Sequence, residues 1–232
     1  MNDKKICFIM CVDNDLFMNE CLLYLQRLYV PDGYETDVLS VTDAKSMCNG
    51  YNEGMNASDA KYKVYLHQDT FIVDRYFLYE MIDIFQSDSK IGIIGAVGTP
   101  CMPESGCMWD GPRVWGIYTD GVTDTEGCNK YSSMDQYKIT SVEAVDGLLM
   151  ATQYDIPWRD DLFGGFDFYD ASQSMEFIKA GYKVVVPEMN NPICVHDDGV
   201  ISNMLNYDSN RKIYVSEYQS LIKELHEDEK KD

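Results

Sequence analysis

The stretch KYKVYLHQDTFIVD at residues 61–74 constrains this chain more than any other. Val64, Tyr65 and Leu66 favour extended backbone, and the run stops abruptly at His67, Gln68 and Asp69. A short apolar run without polar alternation is the pattern of a strand buried on both faces, as in a sheet covered by helices. Open α/β sheets of this kind bind ligands at the C-terminal ends of their strands. The polar side chains stand at that end, which points to Asp69 as a ligand for a divalent cation. The alternative at this stage is a polar turn in which Asp69 caps the next helix.

The flanking segments repeat the same logic. Residues 5–12, KICFIMCV, form a continuous apolar strand that ends in the polar corner Asp13-Asn14-Asp15. The spacing of Leu16, Leu22, Leu25, Leu28 and Tyr29 predicts a helix over 16–29 with one apolar face, stopped by Pro31-Asp32-Gly33. A second strand over 37–41 also finishes in polar residues, Thr42, Asp43, Lys45 and Ser46, and SMCNGYNEGMNASDA is helix-like in spacing. Two short β-helix-β units in succession imply parallel strands joined by right-handed crossovers. Further on, a helix is expected over 74–86, strands over 91–97 and 140–152 (carrying Asp146-Gly147) and a helix over 171–180 closed by Gly181. A strand over 182–186 and an extended run, 192–195, leading into His196 complete the body, and the tail from residue 213 is amphipathic. Residues 98–138 show no periodicity beyond a short strand near 114–118, and so long an irregular stretch inside a domain reads as a functional loop. The fold expected is a single α/β domain, a mostly parallel central sheet with helices on both faces over 1–205, followed by a helical tail over 206–232.

Charge and cysteine usage narrow the function. With 19 basic against 39 acidic residues the formal charge is −20. Such a surface repels phosphate backbones and anionic lipid, so nucleic acid and membrane are poor partners. An anionic ligand would need a metal, a few placed cations or backbone N–H groups. The 8 cysteines form no CxxC pair and no regular ladder, which fits a reduced, intracellular chain rather than a disulfide framework. The apolar run at 6–12 is too short for a signal h-region, and no run approaches the ~20 residues of a membrane span. A cytoplasmic protein is expected, with an oligomer possible.

Four separated pieces then line up in a familiar order: KSMCNGYNEGM, YLHQDTFI, FGGFDFYDASQSMEFIKAGYKV and ICVHDDGVIS. Together they make the chain resemble the nucleotide-sugar-dependent glycosyltransferases of family 2 with the GT-A (Rossmann-like) fold. The resemblance runs over roughly residues 5–205 and is strongest to a small bacterial branch in which the usual DxD triplet is written HQD. It implies a metal-dependent, inverting glycosyltransferase that takes a sugar from a nucleotide-diphosphate donor, UDP-sugars favoured. The acceptor would be a hydroxyl of a carbohydrate or glycoconjugate, in bacterial surface glycan or glycoconjugate synthesis.

Residue by residue, the resemblance implies that Asp69 is the last carboxylate of DxD, ligating Mn²⁺ or Mg²⁺ beneath the diphosphate. His196 matches the late histidine that reaches the same metal or the diphosphate. Asp170, at the start of the ED-type helix, matches the general base for the acceptor hydroxyl, with Asp167 as the competing candidate. Asp43 matches the carboxylate that meets the uracil N3–H, and the corner Val12-Asp13 adds base contacts. Asp146-Gly147 corresponds to the segment beneath the donor sugar and acceptor, and Trp158 is favoured over Trp109 and Trp115 for stacking on a sugar face.

The chain also departs from the pattern. His67 stands where DxD has its first carboxylate, Ser172 replaces the second acid of the ED motif, and the signature after the second strand is reduced to Asp43-Ala44-Lys45-Ser46. Two other functions share parts of this pattern. A nucleotidyltransferase would carry a Gly-rich, basic loop after the first strand, where this chain has Cys11-Val12-Asp13-Asn14-Asp15. A non-catalytic carbohydrate-binding relative would keep sugar affinity without a working base.

Overall fold

The structure, a computed structural model, describes residues 1–112, 114–115, 118–120, 138–188, 192–197 and 205–228. In chain order the elements are β1 (Asn2–Val12), α1 (Asp15–Leu25), β2 (Glu35–Thr42), α2 (Met47–Ala57), β3 (Ala60–Leu66), β4 (Thr70–Ile72) and α3 (Phe77–Ser87). They continue with β5 (Ile91–Gly95), β6 (Val97–Thr99), β7 (Val114–Trp115), β8 (Tyr118–Asp120), β9 (Lys138–Val142), β10 (Ala144–Val145) and β11 (Leu149–Thr152). The last are α4 (Tyr169–Lys179), β12 (Lys183–Glu188), β13 (Cys194–His196) and α5 (Tyr207–Asp228).

Seven strands form the central sheet in the order β2-β1-β3-β11-β5-β12-β9. The pairs β1–β2, β1–β3 and β5–β12 are parallel, as the β-helix-β pattern requires, while β11 runs antiparallel between β3 and β5 and β9 antiparallel at the edge. The apolar run of β3 is buried along Tyr62–Leu66, because helices cover both of its faces. On one face lie Cys21 and Leu25 of α1 and the apolar side of α3; on the other lie Tyr51 of α2, Met175 and Phe177 of α4, and Tyr214 and Tyr218 of α5. The C-terminal helix is therefore part of the core. Within β3, Lys63 is fully enclosed, and its ammonium is held at 2.7 and 3.0 Å by the Asp155 carboxylate and at 2.7 Å by the Ala60 carbonyl. That pairing is what lets a strand covered on both faces carry a lysine.

Several expectations are corrected. The helix after β1 ends at Leu25, four residues early, and Leu16 is 80% exposed rather than on the buried face. Asn14 accounts for the start: its side-chain oxygen accepts from the Leu16 and Phe17 amides at 3.0 and 3.5 Å. The segment 140–152 is not one strand. It is split into β9 and β11, at separate places in the central sheet, and β10, which pairs with β6 in a small second sheet, because Glu143 and the Asp146-Gly147 turn interrupt its apolar run. Asp69 does not cap the next helix; the Asp74 carboxylate accepts from the Tyr76 amide instead.

The expected stop at Gly181 is present in detail. Gly181 sits at φ +85°, its amide donates to Ile178 O at 2.8 Å and the Tyr182 amide to Phe177 O at 3.0 Å. The Phe177 and Tyr182 rings meet with centroids 6.0 Å apart, which completes the Schellman closure. About half of the expected loop at 98–138 lies outside the described residues. Its opening is placed as far as Pro112, and β7 and β8 stand where a short strand near 114–118 was expected. No described helix is long and apolar enough to cross a membrane.

Candidate active site

The C-terminal end of β3 and the short strands behind it decide where the chemistry lies. After Leu66 the chain turns through His67-Gln68-Asp69, closed by the Thr70 amide donating to His67 O at 3.1 Å, and enters β4. β13 pairs antiparallel with β4 and sets His196 opposite Thr70, while the Asp197 amide donates to the Asp69 carbonyl at 2.9 Å. This small sheet brings together residues more than a hundred positions apart. His67 Nδ1 and His196 Nε2 are 3.4 Å apart, His196 Nε2 and Asp69 Oδ1 3.4 Å, and His67 Nδ1 and Asp69 Oδ1 3.9 Å.

These three donors fit one face of a divalent cation. Ligand bonds of about 2.1 Å put neighbouring donors about 3.0 Å apart in octahedral and about 3.4 Å in tetrahedral coordination. The pair separations at His196 match the wider of these, and the third closes with a small side-chain adjustment. Burial, then the neighbouring His196 charge, hold the His67 imidazole below its usual range, so it stays neutral as a ligand must. Burial opposes ionisation of Asp69, but the hydrogen bond from His196 is the largest of the contacts that keep its carboxyl below the ordinary range.

His67 is itself braced. Its Nε2 shares a hydrogen bond of 2.5 Å with the Tyr169 hydroxyl. For Nδ1 to offer a lone pair to a cation, Nε2 must carry the proton and donate it to Tyr169 Oη. Burial raises the Tyr169 pKa well above its ordinary value, so the phenol stays neutral. Gly147 makes room for it: a Cβ there would lie 2.0 Å from Tyr169 Oη. Gly147→Ala should thus drive the buried ring off His67 and weaken Mn²⁺ binding by about 10–100-fold, the usual effect of removing a group that orients a metal ligand. Titration calorimetry with Mn²⁺ checks this, and unchanged affinity would show that Tyr169 does not position His67.

The segment 146–148 joins these groups to the candidate base. The His67 amide donates to Leu148 O at 3.1 Å, and the Asp170 carboxylate accepts from the Gly147 and Ala171 amides at 3.0 and 2.7 Å. Burial first, and the Asp146 carboxylate second, push the Asp170 carboxyl up to about 7. Phe168, which precedes the helix, is held at φ 62°, a left-handed conformation costly for an aromatic residue, and from there α4 begins with Tyr169 and Asp170. Asp167 is also raised by burial and is hydrogen-bonded by Asn210 of α5.

Beside this cluster lies a cavity of about 910 Å³. One wall is the ends of β1 and β2, with Val12, Asp13 and Asp43; the floor is His67, Gln68 and Asp69; the far wall carries Phe166, Asp167 and Tyr169. Among its described lining, Asp13, Asp15, Asp43, Asp69 and Asp167 are acidic and no lysine or arginine takes part. His196, Asp146, Gly147 and Asp170 do not line the cavity and connect to it through His67 and Tyr169.

Trp158 is corrected outright. It is 2% exposed and packs against Tyr51 and Tyr65 with ring centroids 4.8 Å away in each case, so it is a core side chain and not a sugar platform. Phe166, at 62% exposure, is an exposed aromatic residue that does line the cavity. Two residues escaped the sequence. Tyr169 braces His67, and Gln68 Oε1 accepts from the Asp13 and Asn14 amides at 3.0 and 2.9 Å while its amide nitrogen donates to the Asp13 carboxylate. Gln68, the middle letter of HQD, thereby locks the end of β1 to the end of β3. Only the position of Gln68 between two candidate ligands could have hinted at this.

The mostly parallel sheet, with a polar cavity and the HQD turn at its strand ends, has the GT-A arrangement. The model of the glycosyltransferase-like family matches residues 7–218, and the chain belongs to that family. No curated protein sequence matches it. Among solved structures, S. aureus TarS 1-349 in complex with UDP is similar at a TM-score of 0.53 and 9% identity, over 90% of this chain and 64% of that one. The mannosyltransferase PcManGT from Pyrobaculum calidifontis, in complex with GDP-Man and Mn²⁺, is similar at a TM-score of 0.52 and 12% identity, over 84% of this chain and 57% of that one. The chain thus spans less than two thirds of either neighbour's length, and these likenesses concern the fold.

Proposed function

We propose that this chain transfers a sugar, with inversion, from a nucleoside diphosphate donor to a hydroxyl of a carbohydrate or glycoconjugate acceptor. The observation that carries the proposal is the meeting of His196 with His67 and Asp69, which line a cavity whose described charged residues are all acidic. A diphosphate entering that cavity alone would be repelled by the carboxylates, and a divalent cation on this triad removes the conflict. When bound, the cation would offset charge on the departing diphosphate. Two imidazoles beside one carboxylate favour Mn²⁺ over Mg²⁺, which prefers an all-oxygen shell and keeps its waters. The bound Mn²⁺ and nucleotides of the fold neighbours support this without extending to their substrates.

In this scheme the base of the nucleotide, uracil preferred, lies against Val12, Asp13 and Asp43, with Gln68 holding that corner rigid. The diphosphate lies over Asp69, and the sugar toward Asp146 and Gly147. Asp170 takes the proton of the acceptor hydroxyl as its oxygen bonds to the anomeric carbon and the bond to the diphosphate breaks. Phe166 offers an apolar face for the acceptor or the donor sugar. The proposed setting is bacterial surface glycan or glycoconjugate synthesis in the cytoplasm. Calorimetry with UDP tests the core of the scheme: affinity should rise at least about tenfold on adding Mn²⁺, and less with Mg²⁺. Metal-independent UDP binding would overturn it.

A further inference from the structure

A second set of metal-capable side chains lies outside this site, where the last turn of α5 meets the β6–β10 ribbon. Cys101 follows β6, Glu143 stands between β9 and β10, and His226 belongs to α5. Cys101 Sγ is 3.3 Å and Glu143 Oε2 3.2 Å from the same ring nitrogen, His226 Nε2, and all three ligand atoms lie within 4.8 Å of one another. We propose that these residues hold a Zn²⁺, with a solvent molecule as its fourth ligand, that pins the C-terminal helix to the sheet.

The geometry distinguishes this from a hydrogen-bonded histidine. A ring nitrogen carries at most one hydrogen, so Nε2 cannot serve both a thiol and a carboxylate with full hydrogen bonds. A nucleophilic cysteine-histidine-carboxylate relay would place the carboxylate on the opposite ring nitrogen. Three donors converging on one point are what a cation requires. Zn–S bonds of about 2.3 Å and Zn–N or Zn–O bonds of about 2.0–2.2 Å give tetrahedral edges of about 3.6 Å for S···N and about 3.3 Å for N···O. The observed separations lie within a few tenths of those values. Mixed sulfur, nitrogen and oxygen donors suit zinc, and one thiolate with one carboxylate neutralises its charge. Glu143 is buried and already oriented by the Met102 amide, which donates to Oε2 at 2.6 Å.

The consequence reaches the cavity. The other end of α5 supplies Asn210, bonded to Asp167, and Tyr207, whose ring packs on Phe168 at 4.9 Å. The chain just before it contributes Leu205 and Asn206 to the cavity lining. An ion at His226 would hold the helix that carries this rim.

Cobalt substitution of the full chain tests the assignment independently of the first site, which has no thiolate. Co²⁺ bound by Cys101 gives a near-ultraviolet thiolate charge-transfer band. The band is expected in the parent and in Asp69→Ala, and lost in Cys101→Ser and in His226→Gln, each with one equivalent less Zn²⁺ by elemental analysis. His226 lies near the helix end, so its variant keeps the test meaningful if Cys101→Ser folds poorly. A parent without the band, or a band that survives in Cys101→Ser, overturns the site while leaving the proposed transferase chemistry untouched.

Discussion

Asp69→Ala should abolish Mn²⁺-dependent UDP binding, lowering affinity by roughly 10²–10³-fold, which corresponds to the few kcal/mol such an ion contributes. The effect is large because Asp69 is the only carboxylate of the triad, and without it the ion has no anionic ligand beside the two imidazoles. His196→Gln should weaken Mn²⁺ binding by a similar order. The double variant should cost little more than either single one, since ligands of one ion act as a unit. Calorimetry of the four proteins with UDP and Mn²⁺ decides it. Additive losses would mean that Asp69 and His196 serve different ligands despite lying 3.4 Å apart.

Asp170→Asn should lower kcat by about 10²–10⁴-fold while leaving UDP and Mn²⁺ affinity near the parent value, the signature of a lost general base. The parent rate should rise about tenfold per pH unit below pH 7 and level off above it, because the carboxyl, pushed up to about 7, must be ionised to accept the proton. Asp167→Asn is the control. It lines the cavity, so it should shift KM more than kcat; a larger kcat loss there than at position 170 would transfer the role to Asp167.

Stability carries an independent sign. A carboxyl raised in the folded state favours folding below its unfolded value near 4, and that contribution is lost as pH rises through about 7. The Tm of the parent should therefore decline between pH 5 and pH 8 more steeply than that of Asp170→Asn. Parallel slopes would indicate that the carboxyl is not raised.

Much of this architecture is legible along the chain because it depends on local pattern. Apolar runs at β1, β12 and the end of β3 mark strands covered on both faces, and the polar residues that end β1, β2 and β3 mark the ligand edge. Gly181 marks a helix end because a positive φ is cheap only without a Cβ. Where a segment's apolar content was ambiguous, the pattern misled. Residues 140–152 look like one strand, yet Glu143 turns inward toward His226 and the chain breaks there into pieces for different sheets. Trp158 shows the same limit, because an aromatic ring suits a sugar face and a core equally and only its neighbours decide.

By itself, the sequence determined the layered sheet and the position of HQD, with Asp69, at a strand end, since strand burial and element ends follow from side chains close together in the chain; His196 and Asp170 were candidates only through the family resemblance. The tertiary structure alone decided who touches whom. The antiparallel pairing of β13 with β4 set His196 beside Asp69, the empty space at Gly147 admitted the Tyr169 hydroxyl to His67, and the docking of α5 carried His226 to Cys101 and Glu143. Each is a contact across more than a hundred residues or between separate layers, and such contacts depend on register and packing, to which no local pattern is bound.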